Sequence, residues 1–563
     1  MLGIIFILGS NLANVYIPLN VKQGIDSLGR NNNPNVLISL VLLLIAAAII
    51  SGIFRFFIRQ TIIVVSREIE FDLRHDFWAH IQKLPLRFFQ NNSTGNIMSH
   101  ATNDIGAVRM FVGPSVMYTI DNGIKFVLTF SVMISLSPLL TLYALLPMPL
   151  LSFVVYIVMK KMHVKYTRIQ EKMSDLTTCA QENFSGIRVI KSYEREEYEI
   201  NRYEKESAEY LKRKMDQVKL QAWFAPIFFM IAGLSGIIIV LAGGKMVINN
   251  SLSTGVIFAF MLYLVDLIWP MISFGWVANM IQQADASMKR ILKILNEPVD
   301  ISNENTDLNL TGMKGDVEFK NVSFRYGENL PWVLKNINLK INLGSTVAFV
   351  GNTGVGKTSL VNLLPRLYDV TEGSVLIDGN DVRKIPLDVL RKNIGMVTQE
   401  NFLFSDTLAN NIAYGLNNLD QELVEEISKI AQLSKDVETF PLGYETILGE
   451  RGITLSGGQK QRSSLARALA INPKILILDD SFSAVDTHTE EEILKNLKSF
   501  MRDRTSIIIS HRISTVKDSD KIFVLENGSI VEEGTHDELV ERGGIYSELH
   551  MKQLLEKELS EMN

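Results

Sequence analysis

Six apolar segments long enough to cross a bilayer lie before residue 285, and the sequence after that point contains none. The hydrocarbon core of a bilayer is crossed by about 20 helical residues. The mean hydropathy of +0.15 is unusual for a cytosolic chain of 563 residues. We therefore predict a membrane protein that carries a soluble C-terminal part. The predicted spans are Leu2–Val21, Val36–Phe57, Pro114–Leu136, Pro138–Met159, Trp223–Val247 and Thr254–Met280.

The sequence pattern changes at about Asn296. Short strands and amphipathic helices follow, separated by Gly, Asn and Asp turns, which is typical of a soluble α/β domain. We predict a multidomain protein with a six-helix α-helical transmembrane domain over 1–295, a linker over 296–315 and an α/β domain over 316–563.

Charge and cysteine content exclude several classes of protein. The net charge is −5 and there is no long Lys/Arg run, which argues against a nucleic-acid partner. Cys179 is the one cysteine, so an internal disulfide cannot form, and there is no CxxC pair for zinc. A secreted disulfide scaffold, a structural zinc protein and a disordered chain are excluded.

The connections after the second and fourth spans are long and basic, and the second of them holds fourteen Lys and Arg over 160–219. By the positive-inside rule these connections and the C-terminal half are cytosolic. Each connection is long enough for two helices of about 25 residues, or about 35–40 Å of reach. We predict helical extensions with short elbows at Leu84–Gln90 and Gly186–Ser192. Ordinary cytosolic loops are the alternative.

An apolar strand over Thr346–Val350 runs into a glycine-rich loop and then a helical segment. The loop has the pattern G-x-x-x-x-G-K-[ST] in its strand–loop–helix context, so it predicts a P-loop nucleotide site. Its backbone N–H groups enclose a phosphate, the lysine reaches the β/γ oxygens and the threonine ligates Mg²⁺. The residues are Gly351, Asn352, Thr353, Gly354, Val355, Gly356, Lys357 and Thr358, with Ser359 opening the helix.

Two further motifs handle phosphate or metal. The strand Ile475–Leu478 ends in Asp479 and Asp480, as a strand that holds a Mg²⁺ shell does. Leu455–Gln459 reads LSGGQ, which predicts either a helix N-cap or a second anion-binding helix N-terminus. Because one nucleotide cannot easily occupy two such sites in a small domain, the second site would serve another chain.

Lys357 in its loop, LSGGQ, Asp479, the run Ser483–Asp486 and His511 together resemble the ATP-binding cassette (ABC) family. The six spans with long cytosolic extensions resemble its exporter half-transporters. The resemblance implies ATP and Mg²⁺ as cofactors, an ATPase coupled to transport, and a second half-transporter as partner in a heterodimer or a homodimer.

Roles of individual residues are carried over from the same resemblance. Tyr326 would stack on adenine, and Gln399 would contact Mg²⁺ and sense the transmembrane part. Thr358 and Asp479 would complete the metal shell, and Thr446–Gly452 would touch the cytosolic helices. Ser456 and Gly458 would contact the γ-phosphate of the partner's ATP, Asp486 would link the two sites, and His511 would hold the γ-phosphate. The signature set is Ser456, Gly457, Gly458 and Gln459.

Asp479 is the aspartate of the Walker B motif of this family. The residue that follows this aspartate is normally Glu, whereas here it is Asp480. Its carboxylate would fall about 1.5 Å short of the attacking water, and a misplacement of about 1 Å costs about 10²-fold in rate. In similar chains this substitution marks the slow-site subunit of a bacterial heterodimeric multidrug exporter. The alternative is a local backbone shift that restores the reach and ordinary activity.

Three ionisable residues within the spans are candidates for substrate contact. Asp121 and Lys125 are four residues apart and could neutralise each other on one helix face. Asp266 has no charged partner within one turn, so we expect it to face a wet cavity. The stripe Phe260, Tyr263, Leu267 and Phe274 follows helical spacing and predicts either core packing or a drug-binding face.

The sequence therefore predicts a subunit of an ATP-driven exporter, working as a dimer in the cell membrane with its nucleotide-binding domain in the cytosol. It would move hydrophobic or amphiphilic small molecules out of the cytosol or inner leaflet, in the manner of a multidrug exporter. A lipid flippase, a peptide exporter, or an ATP-binding regulatory subunit with little turnover are the alternatives.

Overall fold

The computed structural model describes residues 1–28, 34–449, 452 and 454–561. The chain divides into two compact units. Residues 1–81 and 95–296 form the first, and residues 82–94 and 297–563 form the second.

The first unit is helical throughout. Long helices run past the ends of the predicted spans, and two short helices lie where the elbows were predicted. The helices are α1 Leu2–Leu28, α2 Pro34–Ile58, α3 Val64–Ile81, α4 Leu86–Asn91, α5 Thr94–Ser99, α6 Ile105–Met110, α7 Val116–Leu136, α8 Pro138–Leu145, α9 Met148–Ser185, α10 Ile187–Ser192, α11 Glu196–Ile248 and α12 Thr254–Leu295. Of these, α4 belongs to the second unit.

Three π-helical segments join shorter helices into two of the long ones. The segment Arg59–Ile63 connects α2 to α3, while His100–Asp104 and Phe111–Ser115 connect α5, α6 and α7. Segments of this type widen the helix locally and occur often at functional sites.

Five helical stretches in the described residues are long and apolar enough to cross a membrane. The predicted fourth span, Pro138–Met159, differs from the prediction because it is not one helix: α8 ends at Leu145 and α9 begins at Met148. Pro147 and Pro149 lack the N–H that a continuous helix would use, so the chain breaks there. The apolar part, Pro138–Leu150, is correspondingly short.

The second unit contains two sheets. The larger has the order β10-β9-β3-β8-β7-β6 and is parallel except for the β9–β10 pair, and the smaller has the antiparallel order β2-β1-β4-β5. The strands are β1 Val317–Phe324, β2 Leu334–Ile341, β3 Thr346–Val350, β4 Glu372–Ile377, β5 Asn380–Asp381, β6 Ile394–Val397, β7 Ile475–Asp479, β8 Thr505–Ile509, β9 Lys521–Glu526 and β10 Ser529–Gly534.

Helices cover the larger sheet, whose central strands are buried and almost entirely apolar. Ligands bind outside the carboxyl ends of the strands in open α/β sheets, and β3, β7 and β8 end together at that edge. The helices are α13 Lys357–Asn362, α14 Leu387–Lys392, α15 Leu408–Ile412, α16 Gln421–Ile430, α17 Ser434–Val437, α18 Gly457–Ala470, α19 Thr487–Met501, α20 Ile513–Val516, α21 His536–Arg542 and α22 Ile545–Glu561.

Candidate nucleotide site and intramembrane cavity

The loop between β3 and α13 requires glycine at two positions. Gly351 has φ +143°, and a Cβ there would lie 2.3 Å from the carbonyl oxygen of Leu525. Gly356 has φ +103°, and a Cβ there would lie 2.9 Å from the side chain of Leu334. Any other residue would strain or displace the backbone at these points, so the loop keeps the shape in which its N–H groups can surround an anion.

Lys357 opens α13 and is only 6% exposed. Its Nζ donates to the carbonyl oxygens of Gly351 and Asn352, both at 2.8 Å. Burial lowers the pKa of Lys357, and the neighbouring Asp479 and Asp480 oppose that shift. The ammonium is therefore held at the mouth of the loop, where an anionic ligand would stabilise its charge.

A cavity of about 330 Å³ surrounds this lysine and brings together predicted residues from five segments of the chain. Gly351, Asn352 and Val355 belong to the same loop without lining the cavity. The lining residues are Tyr326, Val333, Thr353, Gly354, Gly356, Lys357, Thr358, Ser359, Gln399, Asp479, Asp480, Ile509 and His511.

Tyr326 forms one side of the cavity. Its hydroxyl lies 2.8 Å from Oγ of Ser359, and its ring packs edge-on against Phe324 at 4.9 Å and Tyr368 at 5.2 Å between centroids. These contacts fix the ring beside the phosphate loop, where an aromatic face can stack on a base.

Asp479 ends β7 and is 1% exposed. Its Oδ2 has no hydrogen-bond partner among the residues that the structure describes. Burial raises the pKa of this carboxyl, while the Thr358 hydroxyl and Lys357 lower it. A buried carboxylate oxygen without a partner costs free energy. With the Thr358 hydroxyl and the Gln399 amide on the same cavity, these oxygen ligands fit a hard divalent cation.

Asp480 follows Asp479 in a left-handed backbone conformation with φ +47°. Its N–H donates to the carbonyl oxygen of Ile509 at 2.9 Å, and its own carbonyl oxygen accepts from the Ser483 hydroxyl at 3.2 Å. Hydrogen bonds therefore hold the backbone on both sides of this residue.

His511 lies across the cavity from the phosphate loop. Burial lowers the pKa of its imidazole, as does the positive charge of Lys357. Its carbonyl oxygen accepts from Nε2 of Gln553 at 2.5 Å, and Oε1 of the same Gln553 accepts from the N–H of Ile513 at 2.8 Å. Gln553 could not be predicted from the sequence, because nothing in the local pattern of α22 connects it to a turn 42 residues away.

The signature begins α18. Ser456 and Gln459 form a capping box: Oγ of Ser456 accepts from the N–H of Gln459 at 3.3 Å, and Oε1 of Gln459 accepts from the N–H of Ser456 at 3.0 Å. A Cβ on Gly458 would lie 3.0 Å from the carbonyl oxygen of Ala484. The predicted N-cap is therefore present. In the described part of the chain, no signature residue lines the cavity around Lys357.

Asp486 also lies outside that cavity, and it caps α19 by accepting from the N–H of Thr489 at 2.9 Å. The buried Gln461, a second residue that the sequence pattern does not mark, connects the signature helix to the loop before Asp486. Its Nε2 donates to the Ser483 hydroxyl and its Oε1 accepts from the N–H of Ala484, both at 2.9 Å. The predicted Thr446–Gly452 loop includes residues 450 and 451, which lie outside the described residues.

Comparison with known proteins gives two family matches: ABC transporter transmembrane region over residues 1–271 and ABC transporter over residues 334–483. The chain is 36% identical over 541 residues to an ATP-dependent lipid A-core flippase of Syntrophus aciditrophicus, covering 96% of this chain and 90% of that protein. The chain belongs to the ABC transporter family.

Another relative and a solved structure support the same family assignment. The multidrug resistance-like ATP-binding protein MdlA of Buchnera aphidicola is 34% identical over 524 residues, covering 93% of this chain and 89% of that protein. A solved structure of a bacterial Atm1-family ABC exporter with ATP bound has a TM-score of 0.79 at 26% identity, covering 98% of this chain and 97% of that one. This ABC exporter is thus a membrane-embedded protein of the plasma membrane, and its ATPase domain hydrolyses ATP to drive transport.

The transmembrane region of the exporter has an open cavity of about 530 Å³ between α1, α2, α7 and α12. Two of the three predicted substrate residues, Asp121 and Lys125, line it. The lining residues are Ser10, Asn11, Asn14, Arg55, Phe56, Ile58, Arg59, Met117, Tyr118, Asp121, Lys125 and Trp269.

The predicted charge pairing in this region is wrong. Nζ of Lys125 contacts Oδ1 of Asp266 at 2.8 Å, and Oδ1 of Asp121 accepts from Nδ2 of Asn11 at 2.7 Å. Asp121 and Lys125 share a helix face as predicted, but packing of α7 against α12 and α1 gives each a partner on another helix. Asp266 is therefore ion-paired rather than a lone carboxylate.

The aromatic stripe of α12 is mostly core. Phe260, Tyr263 and Leu267 are fully buried, and the Tyr263 hydroxyl donates to the carbonyl oxygen of Val15 at 2.7 Å. Phe274 is 77% exposed and does not belong to that cluster. The packing interpretation of the stripe is thus the one that the structure supports.

Proposed function

We propose that this chain is one subunit of a dimeric exporter of hydrophobic or amphiphilic compounds, with a slow ATP site of its own and a signature that completes the site of its partner. The observation that carries the proposal is the separation of the two phosphate motifs. Lys357 and Ser456 each begin a helix, yet Ser456 lies outside the cavity that contains Lys357. A signature that does not line the nucleotide cavity of its own chain is available to the nucleotide of another.

The presence of Asp rather than Glu at position 480 supports the proposal that this chain's own ATP site is slow. One methylene separates it from Glu, which would leave its carboxylate about 1.5 Å short of an attacking water that a Glu would reach. A backbone shift that restored this reach would break the hydrogen bonds to Ile509 and Ser483. We infer that the shortfall persists and that a partner with Glu at the matching position carries most of the turnover, which makes the assembly a heterodimer.

The cofactor is Mg²⁺-ATP in this proposal. Asp479, Thr358 and Gln399 would hold the metal, with phosphate oxygens as its other ligands. Lys357 and the loop N–H groups would bind the β/γ-phosphates, Tyr326 would stack on the adenine, and His511 would contact the γ-phosphate. Stabilisation of the transferring phosphoryl group by such charges supplies most of the rate in this chemistry.

A lipid flippase is the second candidate, favoured by the mixture of charged and aromatic side chains in the intramembrane cavity. Relatives named as multidrug resistance-like proteins and as lipid A-core flippases support both substrate classes. A regulatory subunit with little turnover would share the slow site but would not move a substrate, and a peptide exporter would move peptides.

The experiment is steady-state ATPase activity of this chain co-purified with its partner at saturating Mg²⁺-ATP. Asp480→Asn should reduce activity little, and Asp480→Glu should leave it unchanged or raise it. Ser456→Ala, or Gly458→Val with its clash against Ala484, should reduce activity far more. Asp503→Asn, an exposed carboxylate outside the cavity, is the matched control.

The unequal-site proposal fails if Asp480→Asn abolishes turnover while the signature variants retain it. A chain that purifies as a fully active homodimer would end the heterodimer claim. Uptake of a dye panel and of labelled lipids into inverted vesicles then distinguishes the substrate classes, and ATPase activity without movement of any of them indicates a regulatory subunit.

A further inference from the structure

We propose that the intramembrane cavity binds the anionic head group, a phosphate or a carboxylate, of an amphiphilic substrate. This inference rests on the proposed export function and names the charge of the compound exported. A lone carboxylate at Asp266 would favour cations, but its ion pair with Lys125 removes that preference.

The proposal is based on the charges of the side chains that line the cavity. Among the residues that the structure describes, three cationic side chains line it, Arg55, Arg59 and Lys125, against one carboxylate, Asp121. The charge of Lys125 is neutralised by Asp266, which does not line the cavity and whose Oδ1 lies 2.8 Å from Nζ of Lys125. Arg55 and Arg59 are exposed, and neither forms a salt bridge with any residue that the structure describes. Two guanidinium groups are therefore available to a ligand.

Guanidinium groups suit this ligand because their N–H donors match the oxygens of phosphate and carboxylate in pairs. Arg55 and Arg59 lie four residues apart, on one side of the helix, where α2 passes into its π-helical segment. Both lie at the end of the second span that is predicted to be cytosolic, so they could also extend toward lipid head groups. Their place on the cavity wall, rather than on a lipid-facing surface alone, favours a bound ligand.

The remaining carboxylates do not offer a cation a good site. Asp121 already accepts a hydrogen bond from Asn11 at 2.7 Å, and a cation at Asp266 would have to displace the ammonium of Lys125. Two arginines nearby would repel such a ligand as well.

The rest of the wall suits the apolar part of an amphiphile. Phe56, Tyr118 and Trp269 contribute aromatic surface beside the charged groups. A volume of about 530 Å³ lies within the range of small-molecule sites, which is about 300–1,000 Å³. Polar groups that fix one end, with aromatic walls for the other, are the usual composition of such sites.

The test is equilibrium binding to the purified assembly in nanodiscs of phosphatidylcholine, without ATP. The anionic probes are a fluorescent phosphatidic acid placed in the bilayer and a fluorescent alkyl phosphate added from solution, so that a membrane lipid and a free compound are distinguished. A fluorescent alkyl trimethylammonium of the same chain length is the cationic comparison.

We expect at least one anionic probe to bind, and Arg55→Gln with Arg59→Gln to weaken it by about tenfold or more. Binding of the cationic probe should not be weakened by the same two substitutions. Arg55→Lys with Arg59→Lys should retain most of the affinity, and Asp266→Asn should tighten anion binding by freeing Lys125. Lys245→Gln, a cation in the same unit that does not line the cavity, is the matched control and should change nothing.

Equal weakening of anionic and cationic probes, or binding of the cationic probe alone, would overturn the proposal. Failure of the export function gives a different result: the anionic probe binds through the arginines, but the assembly does not move it when ATP is added. Movement of anionic compounds that is unaffected by both arginine variants would instead leave export standing and reject this site.

Discussion

Gln553 holds both ends of the turn that carries His511. Its amide nitrogen donates to the carbonyl oxygen of His511 at 2.5 Å, and its amide oxygen accepts from the N–H of Ile513 at 2.8 Å. The last helix of the chain, α22, thereby fixes the position of a side chain on the nucleotide cavity. Gln553 does not line that cavity itself, so its effect on activity would be exerted through His511.

We predict that Gln553→Ala lowers kcat for ATP hydrolysis at this chain's own site by about tenfold, because misplacing a group that holds the reacting phosphate is costly. Since that site is the slow one of the proposed pair, the measurement is single-turnover hydrolysis of the nucleotide bound there, and steady-state activity of the assembly should change little. The KM for ATP should change little, since Lys357 and the loop remain intact. Gln553→Glu keeps the acceptor and loses the donor, so its kcat should be intermediate. Lys552→Ala, an exposed neighbour on the same helix, is the control. An unchanged kcat in Gln553→Ala would mean that the turn holds its position without this side chain.

Lys357→Ala should weaken nucleotide binding at this chain's own site by about a hundredfold, because a buried charge-assisted contact to phosphate is lost. The measurement is bound nucleotide on the purified chain over an ATP titration. Lys335→Ala, an exposed lysine that does not line the cavity, provides the control. If Lys357→Ala binds nucleotide as the parent chain does, the phosphate loop has been assigned incorrectly.

Asp479→Asn should raise the melting temperature of the nucleotide-free protein while abolishing hydrolysis at this site. Oδ2 of Asp479 is buried without a partner among the described residues, and removing the charge relieves part of a cost of about 1–3 kcal/mol. For a domain of this size the expected rise is about 2–4 °C. Asp503→Asn should leave the melting temperature unchanged. A lower melting temperature in Asp479→Asn would show that the carboxylate stabilises the empty fold.

Two substitutions of Asp486 should distinguish a helix-capping role from a role between the two ATP sites. Asn caps a helix about as well as Asp does, so Asp486→Asn should lose only the small contribution of the charge and keep most of the thermal stability, whereas Asp486→Ala should lose the cap as well. The Thr489 N–H lowers the pKa of Asp486. The stability from its charge is therefore present above about pH 4 and lost only as the pH falls further.

The stability difference between Asp486→Asn and the parent should accordingly be constant from pH 5 to 8 in thermal melts. If ATPase activity of the assembly falls in Asp486→Asn while stability holds, the carboxylate acts beyond its own helix. Activity that falls only in Asp486→Ala would assign Asp486 to capping alone.

The order of the phosphate motifs and the class of the fold could be predicted because their signals are local. A phosphate loop needs glycines at fixed offsets, as at Gly351 and Gly356, where a Cβ would collide with the backbone or a side chain. Apolar runs of bilayer length and buried strands such as Ile475–Asp479 are likewise contiguous in the chain. The helical extensions and the short elbow helices follow from connection length.

Only the tertiary structure decided how charges pair and which residues support the site. Lys125 was within reach of Asp121 on its own helix, yet it pairs with Asp266 because α7 packs against α12. Gln461 and Gln553 act on turns far along the chain, and no periodicity marks them. The break at Pro147 lay within an apolar run that hydropathy alone treats as continuous. Sequence patterns record what neighbours along the chain require, whereas the choice among partners depends on which helices meet in space.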